Sequence, residues 1–159
     1  MADMKLNSVW NVWTHDIFNK DWSLQSYGHV FKIDNIADMW RFLNNMKEFN
    51  YTKTHFFIMR DGIKPIWEDE PNRGGGICKI KIEENALDAW EDLVIYTLNE
   101  DIVANFSTIN GVSFNPKNNH TIIKIWNSCT EDISDTLNPV IKNKYKDKSI
   151  RYDLNIPEY

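Results

Sequence analysis

Apolar and polar residues alternate along several short segments of the chain, a pattern typical of β-strands with one face turned to solvent. The first two segments, residues 9–18 and 27–33, are rich in aromatic and β-branched side chains and predict two antiparallel strands. A polar turn at 115–119 joins two further segments into a hairpin. The predicted strands after residue 50 are 54–60, 77–82, 111–115, 121–126 and 149–154.

Helical periodicity appears in the segments between these strands. Asn35 can cap a helix whose apolar positions continue to about residue 49. Asn85, with Asp88 three residues later, predicts the capped start of a second helix. A third helix is expected to begin at Pro139, since proline is favoured at the first helical position. Strands interrupted singly by helices indicate an α+β domain, with helices on one face of an antiparallel sheet and the other face open to a ligand.

The overall composition places the chain among globular proteins. Its 159 residues, 42% hydrophobic and 26% charged, predict one domain spanning 1–159. No apolar run approaches the roughly 20 residues that a membrane-spanning helix needs. The first ten residues lack a basic stretch followed by an apolar core, so we expect no secretory signal and a protein of the cytoplasm or the nucleus.

Charge and metal-ligating residues narrow the function further. The net charge of -5 argues against a broad basic face for nucleic acid, so any such binding must be local. Two cysteines and four widely spaced histidines do not form a zinc pattern, and we expect free thiols, no metal and no cofactor. Seven tryptophans are many for this length and suggest a ligand with a flat face. Of these, Trp10, Trp13 and Trp90 are predicted to be core residues.

Two tryptophans stand instead in polar loops, Trp22 after the first strand and Trp67 directly before Glu68. The sequence around them resembles the eukaryotic translation initiation factor 4E family, whose members bind the 7-methylguanosine cap of mRNA. The resemblance runs in order from residue 6 to residue 154. It is carried by DGIKPIWEDEPNRGGG (61–76), WNVW (10–13), VFKIDNIADMW (30–40) and the hairpin GVSFNPK…IIKIW (111–126).

This resemblance implies a curved sheet with about three helices on its convex face and the cap bound on the concave side. Trp22 and Trp67 match the two residues that sandwich the methylated base. Because that base is positively charged, two indoles attract it by stacking and by cation–π interaction. Glu68 matches the carboxylate that accepts hydrogen bonds from the guanine edge, which selects guanine over other bases. Trp126 matches the residue beside the N7-methyl group.

The phosphate side departs from the family pattern. Lys117 and Asn115 match family residues at the end of a strand, and we expect them to bind phosphate. Two positions that are basic in the family are occupied by Ile77 and Ile122, which leaves His120 and Lys124 as possible substitutes. The C-terminal loop that covers the cap in many members is expected to be largely absent. Weaker binding of the triphosphate, or an altered choice of the second nucleotide, should follow.

On the opposite face, the family binds a helical segment of a 4G-type scaffold or of a 4E-binding protein. The residues that match this face are Ile36, Trp40, Asp92 and Ile95. Glu91 stands where an apolar residue is usual. The expected partners are therefore capped mRNA and such a helical protein, and the chain is expected to be a monomer.

Three functions compete. The first is a non-enzymatic cap-binding protein that acts in translation initiation, and the second is a cap-binding regulator that does not recruit the scaffold. The residues alone do not separate these two. The third is a metal-assisted hydrolase built from the acidic run 68–70 and His55, for which no motif is found.

Overall fold

The computed structural model of the protein describes residues 4–155. Its strands form one seven-stranded sheet, in which every neighbouring pair is antiparallel. The strands are β1 (Lys5–Asp16), β2 (Gly28–Asn35), β3 (Thr54–Arg60), β4 (Gly76–Ile82), β5 (Ile109–Pro116), β6 (Thr121–Asn127) and β7 (Ile150–Leu154). Their order across the curved sheet is β2-β1-β3-β5-β6-β4-β7. The predicted α+β class is confirmed. Each predicted strand is present, 54–60 with the predicted ends and the others with ends shifted by up to four residues.

Three helices accompany the sheet: α1 (Ile36–Asn44), α2 (Ala86–Leu98) and α3 (Pro139–Lys144). The Asn35 side chain accepts a hydrogen bond from the backbone N–H of Asp38 at 2.8 Å, so the predicted cap of α1 is present. Helix α1 ends at Asn44, earlier than predicted, and a short 3₁₀ turn follows at Met46–Glu48. The predicted cap at Asn85 is wrong: this residue is left-handed, with φ 57°, and its side chain makes no capping hydrogen bond.

The helices all pack on one face of the sheet. Because successive residues of a strand point to opposite faces, each strand contributes side chains to the helical core and to the other face. Val12, Phe56, Ile58 and Ile80 belong to the large apolar core that includes residues of all three helices. A smaller cluster on the other face contains Phe57, Met59, Ile77 and Trp126, with Trp13 and Trp67 packed against it. This second face is the one left open by the helices.

The tryptophans divide between the two faces. Trp10 and Trp90 are fully buried in the helical core, as predicted. Trp13 is half-buried on the open face, so the prediction that it belongs to the core is wrong. It follows Val12, which points to the helices, and strand alternation therefore turns Trp13 the other way. Both cysteines are free thiols, Cys78 buried and Cys129 half-buried.

Among residues 4–155, no helix is both long enough and apolar enough to cross a membrane.

Candidate functional site

A pocket of about 310 Å³ opens on the face of the sheet that the helices leave free. This size is at the lower end of the range for small-molecule sites. The loops before β2 and before β4 form its rim, and strands β3, β5 and β6 form its floor. Its lining residues are Trp22, Tyr27, His55, Phe57, Pro65, Trp67, Ile77, Asn115, Lys117, Lys124, Trp126 and Asn155. Five side chains predicted from the sequence thus lie around one pocket: Trp22, Trp67, Trp126, Asn115 and Lys117.

Trp22 lies in the loop after β1 and is 45% exposed. Its indole stacks on the imidazole of His15, with ring centroids 4.0 Å apart and planes 9° apart. The Nε2 atom of His15 lies 2.7 Å from the backbone oxygen of Asp21 and 3.1 Å from Oγ of Ser26. These contacts fix the histidine within the loop that carries Trp22. One face of the indole is therefore supported by His15, and the rings of His55 and Tyr27 lie at centroid distances of 5.5 Å and 6.2 Å from it. With 45% of its surface exposed, Trp22 still presents area to the pocket.

Trp67 lies in the long loop between β3 and β4, which has no helix or strand of its own. Asn72 is buried at the centre of this loop and donates hydrogen bonds to the backbone oxygens of Lys64, at 3.0 Å, and Ile66, at 2.8 Å. Asp69 accepts a hydrogen bond from the Lys64 backbone N–H at 2.9 Å. A loop with these internal bonds holds Trp67 in place without regular secondary structure.

The rest of the protein fixes the same loop from outside. Asn110 donates hydrogen bonds to the side chain of Asn72, at 2.9 Å, and to the backbone oxygen of Pro71, at 2.7 Å. Asn155 donates to the Asn72 backbone oxygen at 2.9 Å. Where the loop enters β4, a Cβ atom on Gly75 would overlap the backbone oxygen of Asn127, so glycine is required there. Trp67 is thus positioned by β5 and by the residue that follows β7.

Glu68 follows Trp67 and is exposed; it does not line the pocket itself, although its charge acts on Tyr27, which does. Within the described chain its carboxylate has no hydrogen-bond partner, and its oxygens are available to accept bonds from a ligand. The charge of Glu68 affects the pKa of Tyr27, which lines the pocket. Burial, and then the negative charge of Glu68, raises the pKa of the Tyr27 phenol above its ordinary value. The phenol therefore remains protonated and uncharged in the pocket.

A chain of buried hydrogen bonds runs under the pocket across three strands. Trp126 donates its indole N–H to Oγ of Ser113 at 3.0 Å, and Ser113 donates to Oδ1 of Asn115 at 2.8 Å. The Nδ2 atom of Asn115 lies 3.0 Å from Nδ1 of His55. Asn115 is 3% exposed and both ends of its amide are engaged. In this structure it orients Trp126 and His55, whereas the sequence predicts a phosphate ligand.

His55 is held uncharged at the end of that chain. Burial, followed by the positive charges of Lys117 and Lys124, lowers its pKa from an ordinary 6.5 to about 4. The charges of His15 and, in the opposite direction, Asp16 contribute less. A neutral imidazole can accept the amide hydrogen of Asn115 at Nδ1, and its Nε2 then carries the proton. The part of the floor formed by His55 and Asn115 is thus polar without carrying charge.

Positive charge enters the pocket from Lys117 and Lys124. Lys117 is exposed at the end of β5, and Lys124 is half-buried in the middle of β6. Burial, and then the charges of Lys79 and Lys117, lowers the pKa of Lys124 to about 8. Neither ammonium group has a carboxylate within 4 Å among residues 4–155. His120 lines a different depression, with Phe18 and Tyr51. Of the two substitutes suggested by the sequence, Lys124 is therefore the one that reaches the pocket.

Sequence reasoning missed His15, Tyr27, Asn72 and Asn110. Strand alternation could have found His15, because it lies two residues after Trp13 and therefore on the same face. Its cross-strand partner is His55. Asn72 is part of the motif that carries the resemblance, but its structural role depends on backbone groups that no sequence pattern identifies.

The predicted partner face lies on the helical side. Trp40 on α1 is 37% exposed, and Ile36 and Ile95 are half-buried at the surface of the core. Asp92 is already paired inside the chain, with the ammonium of Lys144 and with the hydroxyl of Tyr145 at 2.8 Å. Glu91 lies exposed in a groove of about 300 Å³ between the end of α1 and α2, together with Leu43 and Leu87 among others.

The residues of the hydrolase hypothesis do not converge. His55 bonds to Asn115 below the pocket, whereas Asp69 bonds within its own loop. Within residues 4–155, no group of three His, Cys, Asp or Glu side chains is arranged to hold a metal ion.

Comparison with known proteins agrees with the fold and with the extent of the resemblance along the chain. A family model described as eukaryotic initiation factor 4E matches residues 5–156. The eukaryotic translation initiation factor 4E of Dictyostelium discoideum is 24% identical over 129 residues, which are 79% of this chain and 51% of that protein. The chain thus spans about half the length of this relative.

Solved structures show the same architecture. Ascaris suum eIF4E-3, in complex with the m7G cap, superposes with a TM-score of 0.82 at 21% identity, over 96% of this chain and 92% of that one. Caenorhabditis elegans eIF4E-3, in complex with the 4E-binding protein Mextli and a cap analog, gives 0.82 at 20% identity, over 96% and 93%. At these identities the likeness concerns the fold.

Proposed function

Because the chain belongs to the eukaryotic initiation factor 4E family, we propose that it binds the 7-methylguanosine cap of mRNA and acts in translation initiation in the cytoplasm. The observation that carries this proposal is the pocket on the open face. It combines the indoles of Trp22, Trp67 and Trp126 with the ammonium groups of Lys117 and Lys124. A flat cationic base joined to phosphates has the chemistry that such a pocket accepts.

The base is proposed to stack between Trp22 and Trp67. Trp22 is supported on one face by His15 and is 45% exposed, and Trp67 is held by the hydrogen bonds of Asn72. Fixed rings lose little freedom when a ligand binds, so more of the stacking energy appears as affinity. Each base–aromatic contact contributes about 1–3 kcal/mol.

We assign recognition of the guanine edge to Glu68 and contact with the N7-methyl group to Trp126. A carboxylate without an internal partner can accept both the N1–H and the exocyclic amine of guanine, and a charged acceptor makes bonds of about 1.5–3 kcal/mol. Trp126 is 6% exposed on the pocket floor, and Ser113 fixes its ring orientation. The uncharged Tyr27 and His55 add no competing charge beside the cationic base.

The decisive experiment is a fluorescence titration with 7-methyl-GTP and with GTP. We expect quenching of tryptophan emission and much weaker binding of GTP, because the unmethylated base lacks the ring charge. Trp22→Ala and Trp67→Ala should each lose about 1–3 kcal/mol of binding free energy, while the protein stays folded. Trp40→Ala is the control, since Trp40 is an exposed tryptophan on the other face. Equal affinity for the two nucleotides would refute the proposal.

Recruitment of a 4G-type scaffold, or of a 4E-binding protein, is proposed for the helical face around Ile36, Trp40 and Ile95. Trp40 is exposed on α1 one turn after the half-buried Ile36, and an exposed aromatic residue on an apolar helix face is the kind of surface that an amphipathic helix binds. Asp92 is not included in this face, because its carboxylate is already bonded to Lys144 and Tyr145. Trp40→Ala should therefore abolish capture of a scaffold peptide and leave 7-methyl-GTP binding unchanged.

A second candidate function is a cap-binding competitor that does not recruit the scaffold. Glu91 favours it, because this exposed carboxylate lies in the groove beside α2, where an apolar ligand would have to bury it. Titration with a scaffold peptide separates the two functions. Strong binding supports the initiation factor, whereas binding that appears in Glu91→Leu and not in the wild type supports the competitor.

A further inference from the structure

A row of cationic side chains crosses the open face from the pocket to the edge of the sheet. Lys124 on β6 pairs with Lys79 on β4, and Lys79 pairs with Arg151 on β7. Directly paired residues of antiparallel strands point to the same face. Since neighbouring strands lie about 4.8 Å apart, the row extends about 10 Å from Lys124 to Arg151.

A groove of about 150 Å³ lies along the outer part of this row. We call it the edge groove; its lining residues are Lys79, Lys81, Ile122, Ser149 and Arg151. Ile122 and Lys81 are cross-strand partners, and this pair lies two residues along the strands from the pair Lys124 and Lys79. The edge groove is therefore adjacent to the pocket on the open face, because Lys124 lines that pocket and pairs with Lys79, which lines the groove.

The charges of this region are not balanced inside the protein. Asp153 lies 2.9 Å from both the Lys79 ammonium and the Arg151 guanidinium, and one carboxylate thus serves two cations. Lys81 has a long and exposed contact, 3.7 Å, with Glu83. Four cations, counting Lys124, meet two carboxylates, although the chain as a whole has a net charge of -5. Such a local excess calls for an anion.

We propose that the edge groove binds the phosphodiester groups of the RNA that follows the cap. This inference rests on the proposed function, because Lys124 connects the groove to the pocket that would hold the cap. A free phosphate would need one compact cradle, whereas cations spaced along two strand pairs suit a chain of phosphates. Within the described chain none of the lining side chains is aromatic, so the groove has no platform on which bases stack. The contact is therefore independent of sequence.

The experiment compares three ligands on the full chain: 7-methyl-GTP, the dinucleotide cap m7GpppG, and m7GpppG extended by five unstructured ribonucleotides. We expect the extended RNA to bind about three to ten times more tightly than m7GpppG. The double variant Lys81→Gln/Arg151→Gln should lose this gain and keep the wild-type affinity for both small ligands. Its slope of log affinity against log salt for the extended RNA should become shallower by about 0.7 for each phosphate that the variant no longer neutralises.

The matched control is Lys142→Gln/Lys146→Gln, which removes two exposed lysines from α3 and the turn after it and should change none of the three affinities. Equal binding of m7GpppG and the extended RNA would overturn the inference and leave the proposed function standing. A variant that weakens m7GpppG as much as the extended RNA would mean that the groove binds the triphosphate bridge, which also overturns it. If 7-methyl-GTP itself does not bind, the proposed function is wrong and the inference falls with it.

Discussion

The indole of Trp22 lies flat on the imidazole of His15, with ring centroids 4.0 Å apart and planes 9° apart. His15 is 1% exposed, and its Nε2 is fixed by Asp21 and Ser26 of the same loop. A loop tryptophan is thereby attached to the sheet through a buried strand residue. This contact fixes an exposed side chain in the wall of the pocket. Less side-chain entropy is then lost when a ligand binds.

Replacing His15 should therefore weaken cap binding although His15 is not proposed to touch the base. In His15→Ala the indole loses its support, and we expect the affinity for 7-methyl-GTP to fall by about 0.5–1.5 kcal/mol. His15→Phe keeps a flat ring at this position and should bind more tightly than His15→Ala. Fluorescence titration of both variants checks this. Equal affinities of the alanine and phenylalanine variants would show that the stack does not matter.

Glu68→Gln preserves the shape of the side chain but places an amide donor against the donors of guanine. We expect cap affinity to fall by at least about 1.5 kcal/mol. Glu70→Gln is the matched control, because Glu70 is exposed in the same loop two residues away. Isothermal titration with 7-methyl-GTP measures both variants. A similar loss in the two would indicate that net loop charge, and not a specific bond, is responsible.

Asn72→Ala removes the buried donor that bonds to the backbone oxygens of Lys64 and Ile66 and the acceptor of Asn110. These groups would be left unsatisfied, so we expect the free energy of unfolding to fall by about 1–3 kcal/mol. Cap affinity should fall as well, because Trp67 loses its support. Urea denaturation and titration measure the two effects. Asn118→Ala, in an exposed turn, should change neither quantity.

Several features of the site follow from the sequence because they depend on local pattern. The loop positions of Trp22 and Trp67 and the strand position of Trp126 follow from polarity and alternation, and the resemblance adds their roles. Trp13 shows the limit of this reasoning. Its burial depends on which face of the sheet the helices cover, and this face is set by helix packing elsewhere in the chain.

The phosphate side could not be predicted for a related reason. Lys124 and His120 lie close together in the sequence, which makes both of them candidates to replace the missing basic residues. The register of β6 turns Lys124 into the pocket, whereas His120 lies at the hairpin turn and lines another depression. The position of Asn115 in the sequence indicates a ligand. Its amide is instead satisfied by Ser113 and His55, a pairing that depends on strand register and on the neighbouring strand.

Acid should destabilise the protein through His55. The folded protein keeps this imidazole neutral down to a pKa of about 4, whereas an unfolded histidine protonates near 6.5. The unfolded state thus binds more protons between these values, and stability falls as the pH is lowered through that window, by up to about 3 kcal/mol. His55→Gln should flatten the profile between pH 6.5 and 4.5. Urea denaturation at both pH values tests this, and parallel profiles of wild type and variant would contradict it.

The last prediction concerns the number of phosphates on the ligand. The sequence predicts Lys117 as a phosphate ligand and Lys124 only as a substitute, so that the number of phosphates should change affinity less than a row of several cations would. Lys124 changes this expectation, because it lines the same pocket and has a pKa lowered to about 8 by burial and by neighbouring lysines. A bound phosphate would relieve that repulsion, and the half-buried ammonium is less screened than the exposed Lys117.

We therefore expect affinity to rise from 7-methyl-GMP to 7-methyl-GTP. Lys124→Met should reduce this rise more than Lys117→Met does, and the double variant should abolish most of it. The preference for the methylated base over GTP should survive in all three variants, because it depends on the indoles. Titrations at two salt concentrations measure both quantities. An unchanged phosphate dependence in Lys124→Met would mean that the ammonium points away from the ligand and that Lys117 acts alone.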